Sequence, residues 1–232
     1  MRILFVAAEA MEFEGILAHA RDVAAAPVDA GWARRCRLGG HDALLVANGA
    51  GWKRAETAAR AGIDDFHPDA VVSTGFCGAL DPRFGVADVV VANEIFVSGR
   101  PGEPIPVCVV RDRRADGPIC SIDHIARTAG EKARLRKNGA VAVEMEAAGV
   151  AECAAARGLP FYCVRAVTDL AGETLANDFQ KALREDGHFD TILIFTDALR
   201  QPVARIPELL RLRQRCRRAA RTLGDFFTVC GF

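Results

Sequence analysis

The sequence has no net charge to attract a polyanion. Its 232 residues include 30 lysine and arginine and 30 aspartate and glutamate side chains. A balanced chain has no overall field that would favour an acidic partner. Half of the residues are apolar, which is enough for one substantial core. We therefore expect no nucleic acid among the partners, and one domain that spans residues 1–232.

Paired-cysteine motifs are also missing. The eight cysteines are scattered singly, without the CxxC or Cys/His spacing of a zinc site or a redox pair. Most of them stand in apolar runs, where a free thiol behaves as a small hydrophobic side chain. We therefore predict structural cysteines, no metal site and no cofactor.

Long apolar runs are absent as well. No uninterrupted run approaches the roughly 20 residues that cross a membrane. The first apolar run meets Glu9 too early for the core of a signal peptide. A cytoplasmic location is the expectation that fits both observations.

Short apolar segments instead alternate with helix-like segments. Such alternation predicts an α/β fold: a single domain with a mixed, mostly parallel central β-sheet flanked by helices. In such sheets ligands bind at the carboxyl ends of the strands. The predicted strands are 2–8, 43–47, 69–74, 86–97, 140–143 and 161–167, and the predicted helices are 11–21, 52–66, 131–137, 144–157, 189–200 and 206–227.

The last of these helices, residues 206–227, is amphipathic and basic. It carries six arginines between Arg211 and Arg221. The default interpretation is a helix that packs its apolar face on the core. The alternatives are a weak contact with an anionic membrane surface or a place in a subunit interface.

Acidic residues interrupt apolar segments at the ends of three predicted strands, where burial is costly without a role. Arg165 lies inside an apolar strand and needs a carboxylate partner there. A glutamate at such a place can also mark a helix start, where the helix dipole favours negative charge, and we assign Glu12 and Glu144 to helix starts. The acidic positions are Glu12 with Glu14, Glu144 with Glu146, and Asp169.

Five segments together resemble one family, the superfamily of purine nucleoside phosphorylases, uridine phosphorylases and methylthioadenosine/S-adenosylhomocysteine nucleosidases. They occur in the family's order. The segments are Ala10-Met11-Glu12-Phe13-Glu14, Asn48-Gly49-Ala50-Gly51, Ser73-Thr74-Gly75-Phe76-Cys77-Gly78-Ala79-Leu80, Val143-Glu144-Met145-Glu146-Ala147 and Val164-Arg165-Ala166-Val167-Thr168-Asp169.

The resemblance implies a catalytic set. Asp169 matches the aspartate that protonates or hydrogen-bonds N7 of the leaving purine. Glu146 matches the carboxylate that binds the ribose hydroxyls, and Met145 the residue beneath the sugar. Glu14 matches the carboxylate that orients or deprotonates the attacking water, with Arg165 as its neighbour.

Other residues near these segments are predicted to contact the substrate. His124 could stack on a base or act near the purine edge, and it could equally be a loop residue satisfied by Asp123. The further predicted contacts are Gly75, Phe76, Cys77, Gly78, Ile125, Glu144 and Thr168.

The first loop separates hydrolysis from phosphorolysis. Phosphorylases of this type carry a Gly-Asp-Pro-like first loop and nearby arginines that hold phosphate. Here residues 9–14 contain three glutamates, which repel phosphate. The sequence therefore predicts a nucleosidase that releases a purine, adenine in particular. The alternatives are a phosphate-dependent nucleoside phosphorylase, a non-catalytic nucleoside-binding protein and a membrane-associated scaffold.

Two features depart from the methylthioadenosine nucleosidases. Phe76 stands where those enzymes usually carry a serine, and the segment 97–121 is shorter. The motifs at 78–82, 121–124 and 131–132 look more like the hopanoid-associated branch, which removes adenine from a lipid-linked nucleoside. The group at the ribose 5′ position is thus left open. The resemblance implies an oligomer, and we predict a homodimer.

Overall fold

The computed structural model describes residues 1–100, 102–111 and 113–231. The predicted domain at 1–232 therefore includes Pro101, Asp112 and Phe232, which lie outside the described residues. The strands are β1 (Arg2–Ala7), β2 (Arg21–Ala25), β3 (Trp32–Leu38), β4 (His41–Ala47), β5 (Ala70–Ala79), β6 (Val89–Val97), β7 (Ile105–Pro106), β8 (Gly117–Ser121), β9 (Ala142–Glu144) and β10 (Phe161–Asp169). A 3-10 helix (Ala10–Phe13) precedes α1 (Glu14–His19), α2 (Trp52–Phe66), α3 (Ala129–Arg136), α4 (Ala147–Ala156), α5 (Phe179–Ala182), α6 (Thr191–Ala198) and α7 (Pro202–Val229).

The strands form one sheet that closes on itself at one end. Its order is β10-β6-β8-β9-β5-β1-β4-β3-β2, with β7 beside β6. Strand β10 also pairs with β5, in a parallel register that places Arg165 opposite Gly75. Strands β5, β9, β8, β6 and β10 therefore form a barrel-like ring, and the other long strands extend it as an open sheet.

The single α/β domain with a mixed sheet is as predicted, but the sheet is not mostly parallel. Among the described residues, five strand pairings are parallel and five are antiparallel. The antiparallel pairs come from the edge strands β2 and β3 and from the ring strands that reverse direction. Local alternation of strands and helices carries no information on such pairings, because they join segments far apart in the chain.

Two helical layers cover the two faces of the open sheet. Side chains alternate between the faces along β1, as the two-residue repeat of a strand requires. Leu4 and Val6 pack in the cluster that contains the inner residues of α2 and α4. Ile3 and Phe5 belong to the cluster completed by α1 and α7. The near-continuous apolar composition of β1 follows from burial on both sides.

Helix α7 contains the predicted segment 206–227 and extends it at both ends. Its inner face, with Ala219, Leu223 and Phe226, is buried in the core. The contact with α1 is close: a Cβ on Gly224 would lie 2.2 Å from the carbonyl oxygen of Gly15. In the part of the chain that the structure describes, none of the helices combines the length and apolar character needed to span a membrane.

Candidate active site

A cavity of about 350 Å³ lies where the turn after β1 meets the ends of β5, β9 and β10. Helices from the last quarter of the chain cover it. Of the sequence-predicted site residues, the cavity lining contains Phe76, Cys77, Gly78, His124, Ile125, Glu144, Met145, Glu146, Thr168 and Asp169. The structure therefore brings these ten together, and it leaves Glu14, Gly75 and Arg165 outside the lining.

Glu12 is the carboxylate that the first turn presents to the cavity. One of its oxygens accepts hydrogen bonds from the backbone N–H groups of Ala8 and Glu9, at 2.9 Å each. The other accepts the backbone N–H of Phe76 at 2.7 Å. The side chain is buried, and this burial raises the pKa of Glu12 above its ordinary value. Because its pKa is raised, Glu12 is a stronger proton acceptor than an ordinary glutamate.

Glu14 does not reach the cavity, which corrects its assignment as the water-activating residue. It is exposed on the first turn of α1. Successive side chains in a 3-10 helix are about 120° apart, so residues two apart point in different directions. Only one of the two glutamates can face the cavity, and it is Glu12, which the sequence analysis had assigned to a helix start.

Arg165 lies beneath the cavity wall and is fully buried. Its guanidinium donates to Ser73 Oγ at 2.7 Å, to the Thr74 carbonyl oxygen at 2.7 Å and to Glu144 Oε2 at 2.5 Å. Burial alone would lower the pKa of Arg165, and the charge of Glu144 raises it. Because its donors point at other protein groups and not at the cavity, Arg165 is a positioning residue here, which corrects its assignment to the catalytic set.

Gly75, a predicted substrate contact, lies outside the cavity lining, behind the wall. Its φ angle is +126°, in the region that side chains disfavour. A Cβ at this position would lie 2.4 Å from Glu12 Oε1 and 3.0 Å from Arg165 Nη1. The glycine therefore leaves room for the approach of Glu12 and Arg165.

Glu144 and Glu146 both lie at the start of α4, but their carboxylates accept hydrogen bonds from different parts of the backbone. Glu144 Oε2 accepts the backbone N–H groups of Glu146 at 2.9 Å and Ala147 at 2.7 Å, in agreement with its assignment to a helix start. Glu146 Oε1 accepts the N–H of Gly51, at 3.1 Å, from the turn between β4 and α2. Desolvation raises the pKa of Glu146 to about 7. The second oxygen of Glu146 has only two long contacts, with Arg165 Nη1 at 3.5 Å and with the backbone N–H of Met145 at 3.4 Å.

Asp169 ends β10 and is ion-paired with Lys132, a residue that the sequence analysis quoted without assigning it a role. Lys132 is fully buried, and its Nζ donates to Asp169 Oδ2 and, at 2.8 Å, to the Leu170 carbonyl oxygen. Thr168 Oγ1 donates to Asp169 Oδ1 at 3.1 Å. A Cβ on Gly78 would lie 2.9 Å from Asp169 Oδ2. These contacts fix the carboxylate, and nothing in the polar segment around Lys132 signals its burial.

His124 lies on the cavity wall with both ring nitrogens engaged. Nδ1 is 2.8 Å from Asp123 Oδ1, and Nε2 is 2.6 Å from Glu131 Oε1. The hydrogen bond to Asp123 raises the pKa of His124. Of the two interpretations left open by the sequence, the hydrogen bonds fit a satisfied loop residue, and the ring face alone remains available for stacking.

The outer wall of the cavity comes from a segment that the sequence analysis did not connect with the site. It is apolar and lies on or between the last helices. The only signal in the sequence is a set of apolar residues in predicted helices, which a plain core would also produce. The residues are Leu175, Phe179, Phe189, Ile194, Leu212 and Cys216.

The polar part of the cavity is acidic. Its lining has five carboxylate residues, Glu9, Glu12, Glu144, Glu146 and Asp169. Within the described part of the chain, no lysine or arginine lines the cavity. Lys132 and Arg165 compensate the acids from behind the wall, where a ligand does not meet them.

Comparison with known proteins identifies the family of the chain. The model of one family, the phosphorylase superfamily, matches residues 2–109 and 110–190. The chain belongs to the phosphorylase superfamily. The resemblance described from the five sequence segments is thereby confirmed.

Relatives of this phosphorylase superfamily member are nucleosidases by name. The 5′-methylthioadenosine/S-adenosylhomocysteine nucleosidase of Tolumonas auensis is 27% identical over 183 residues, which are 64% of this chain and 77% of that protein. The corresponding enzyme of Pseudoalteromonas translucida is 29% identical over 175 residues, 63% of this chain and 74% of its own.

Solved structures share the fold of this superfamily member. The nucleosidase from S. pneumoniae, solved with a transition-state inhibitor, superposes with a TM-score of 0.70 at 19% identity, over 98% of this chain and 99% of that one. The Neisseria meningitidis enzyme gives a TM-score of 0.69 at 21% identity, over 98% of each chain.

Proposed function

We propose that this protein is a nucleosidase that hydrolyses the N-glycosidic bond of an adenine nucleoside. The observation that carries the proposal is the placement of two carboxylates with different partners, Glu12 and Asp169, on one cavity with Glu146. The named activity of the relatives supports the same reaction. The 5′ substituent stays open, and the two branches that the sequence resembles differ there.

Each acid has one part in the proposed reaction. The proton that Lys132 donates to Asp169 in their ion pair passes through the Asp169 carboxyl group to N7 of the purine, and the electron pair of the C1′–N9 bond leaves with the base. The negative charge of Glu146 stabilises the cationic sugar and binds its hydroxyls. Water then adds to C1′, and its proton passes to Glu12. The products are the free base and a sugar with a hydroxyl group at C1′.

Water fits this cavity better than phosphate does. Phosphate sites supply cationic or backbone N–H donors. Here the two neighbouring cations, Arg165 and Lys132, already bind protein acceptors. The N–H groups around Glu12 also already donate to its own carboxylate. A dianion would face five carboxylate residues, and none of the described lysines and arginines lines the cavity to offset them, so this arrangement favours hydrolysis.

Phe76 does not count against a water site. A serine is usual at this position in the related nucleosidases, and its replacement by phenylalanine is the departure that would favour a non-catalytic nucleoside-binding protein. In the structure Phe76 holds Glu12 through its backbone N–H, a donor that any residue except proline provides. The non-catalytic alternative therefore has no structural observation in its favour.

The first prediction concerns phosphate. Release of adenine from adenosine or 5′-methylthioadenosine should proceed at the same rate in phosphate-free buffer and in added phosphate. The sugar product should be the free sugar and not its 1-phosphate, as read by chromatography. Strict dependence on phosphate would establish the phosphorylase alternative. Tight nucleoside binding without any product would establish the binding-protein alternative.

The second prediction concerns pH. Burial raises the pKa of Glu146 to about 7 and also raises that of Glu12, so both become protonated at a higher pH than an ordinary glutamate. Both must be ionised in the proposed reaction. As pH falls below about 7, kcat/KM should therefore fall by about tenfold or more per pH unit. The surface variant Glu152→Gln is the matched control and should keep this profile. A flat profile from neutral to acidic pH would contradict the roles of both acids.

The remaining assignments stay predictions from the sequence. They are a homodimer in a cytoplasmic location, with a nucleoside as the small-molecule partner. Weak membrane contact through residues 206–227 likewise stays a prediction.

A further inference from the structure

Helix α6 exposes large apolar side chains on the face that points away from the cavity. Ile192 is 77% exposed, Phe195 57% and Leu199, just after the helix, 53%. Residues at spacings of three and seven share one helix face. The opposite face is occupied: Ile194 lines the cavity and Ala198 is fully buried. The inner face of α6 is therefore already packed, and the exposed apolar residues form a second, separate face of the helix.

The exposed apolar surface continues into α7. Val203, in the first turn of that helix, is 91% exposed, and Leu210 two turns later is 63% exposed. Single exposed apolar residues are common on proteins, but a series along consecutive elements is not. We call this set the α6–α7 surface: Ile192, Phe195, Leu199, Val203 and Leu210.

The charge of this region is positive and is not balanced at the surface. Between residues 191 and 224, all of them described, there are eight arginines and two acids. The two acids are Asp197, which pairs with Arg205 at 2.6 Å, and the buried Glu208, which accepts the backbone N–H groups of Ala176 and Asn177. The exposed arginines are Arg200, Arg211, Arg213, Arg217, Arg218 and Arg221.

We propose that the α6–α7 surface docks on a membrane of anionic phospholipid. Apolar side chains that insert at the headgroup boundary, next to arginines that meet lipid phosphates, are the features of a helix that lies on a membrane. The contact adds to the one predicted for residues 206–227, which supplies Leu210 and five of the six exposed arginines. The main apolar face of that segment is buried in the core, so the other inserting side chains come from α6, Leu199 and the first turn of α7.

A second copy of the chain fits this surface less well. A two-fold interface would place the same surface on both partners. The arginines around it would then face one another without exposed acids to oppose them. An anionic lipid surface instead supplies the complementary charge.

The test is sedimentation of the full chain with vesicles. Vesicles of equal parts phosphatidylcholine and phosphatidylglycerol should bind the protein, and vesicles of phosphatidylcholine alone should bind it much less. Phe195→Ser combined with Val203→Ser should lower the partition coefficient by about tenfold or more, since two inserting side chains are lost. Val229→Ser is the matched control, because Val229 is 82% exposed at the other end of α7.

None of the substituted side chains lines the cavity, so both variants should hydrolyse a soluble nucleoside at the parent rate and keep the parent circular dichroism. That control separates a docking defect from a folding defect. Three results would overturn the proposal: no binding to either vesicle, equal binding to both, or binding that the double variant retains. A concentration-dependent dimer that only the double variant loses, measured by light scattering, would assign the surface to a second copy instead.

Discussion

Replacing Asp169 with asparagine is expected to lower kcat for base release by about 10²–10⁴-fold, the usual contribution of a positioned acid. The amide keeps the size of the side chain, its oxygen can accept from Lys132 and its NH2 group can donate to the Thr168 hydroxyl, but it cannot supply a proton to the leaving base. The loss should appear in kcat and not only in KM, measured by adenine release at saturating nucleoside. Full activity in this variant would remove Asp169 from the mechanism.

Because Asp169 is paired with the buried Lys132, the stability of Asp169→Asn has to be measured as well as its activity. Lys132 is fully buried, and the Asp169 side chain is its charged partner, itself only 15% exposed. Removing one member of such a pair leaves an uncompensated charge and costs about 3 kcal/mol or more of unfolding free energy. Asp169→Asn should therefore be destabilised as well as inactive, and instability alone could explain a loss of activity.

Combining Asp169→Asn with Lys132→Met separates the two effects. Methionine has an unbranched side chain of similar length and carries no charge to bury. The double variant should regain part of the unfolding free energy lost by Asp169→Asn, measured by urea denaturation, and should still lack activity. Recovery of activity together with stability would show that Asp169 acts only through the fold.

Glu12→Gln is expected to lower the rate of hydrolysis by about 10²–10⁴-fold as well, because an amide cannot accept the proton of the attacking water. The amide oxygen can still accept the backbone N–H groups of Ala8 and Glu9, and the bond from the Phe76 N–H is lost because an NH2 group cannot accept it. Nucleoside binding, measured by calorimetry, should therefore change less than kcat does.

Glu14→Gln is the matched control for Glu12→Gln. It makes the same chemical change two residues away, on a side chain that is exposed and outside the cavity lining. Its kcat and KM should equal those of the parent. The reverse outcome, loss in Glu14→Gln and activity in Glu12→Gln, would restore the assignment made from the sequence and contradict the placement of the first turn.

The sequence was informative about fold class because strands and helices leave local periodic signals. Strands such as β1 and β10 and helices such as α2 lie close to their predicted positions. The pairing of β10 with β5 leaves no such signal, because residues 161–169 and 70–79 are far apart in the chain. For that reason the ring of strands, and with it the even division between parallel and antiparallel pairs, could not be predicted.

In the candidate site, too, some residues leave a local signal in the sequence and others do not. Glu146 and Asp169 were recognisable because they interrupt apolar segments inside motifs of the family. Either Glu12 or Glu14 could be the glutamate that faces the cavity. The orientation of the 3-10 turn decides between them. Lys132 belongs to a helix with polar neighbours, so its burial depends on tertiary packing against Asp169, which local sequence does not reveal.

The cavity is lined by two parts of the molecule that differ in how well they tolerate amino-acid substitutions. The acids proposed to act on the substrate lie on the strand ends and turns of the ring, whereas the apolar outer wall, with Phe179, Phe189 and Leu212, lies on the last helices and their connections. Substitutions in that wall can reshape the space for a substituent without displacing a reacting group. The fold can therefore diverge in substrate preference while the bond it breaks stays the same.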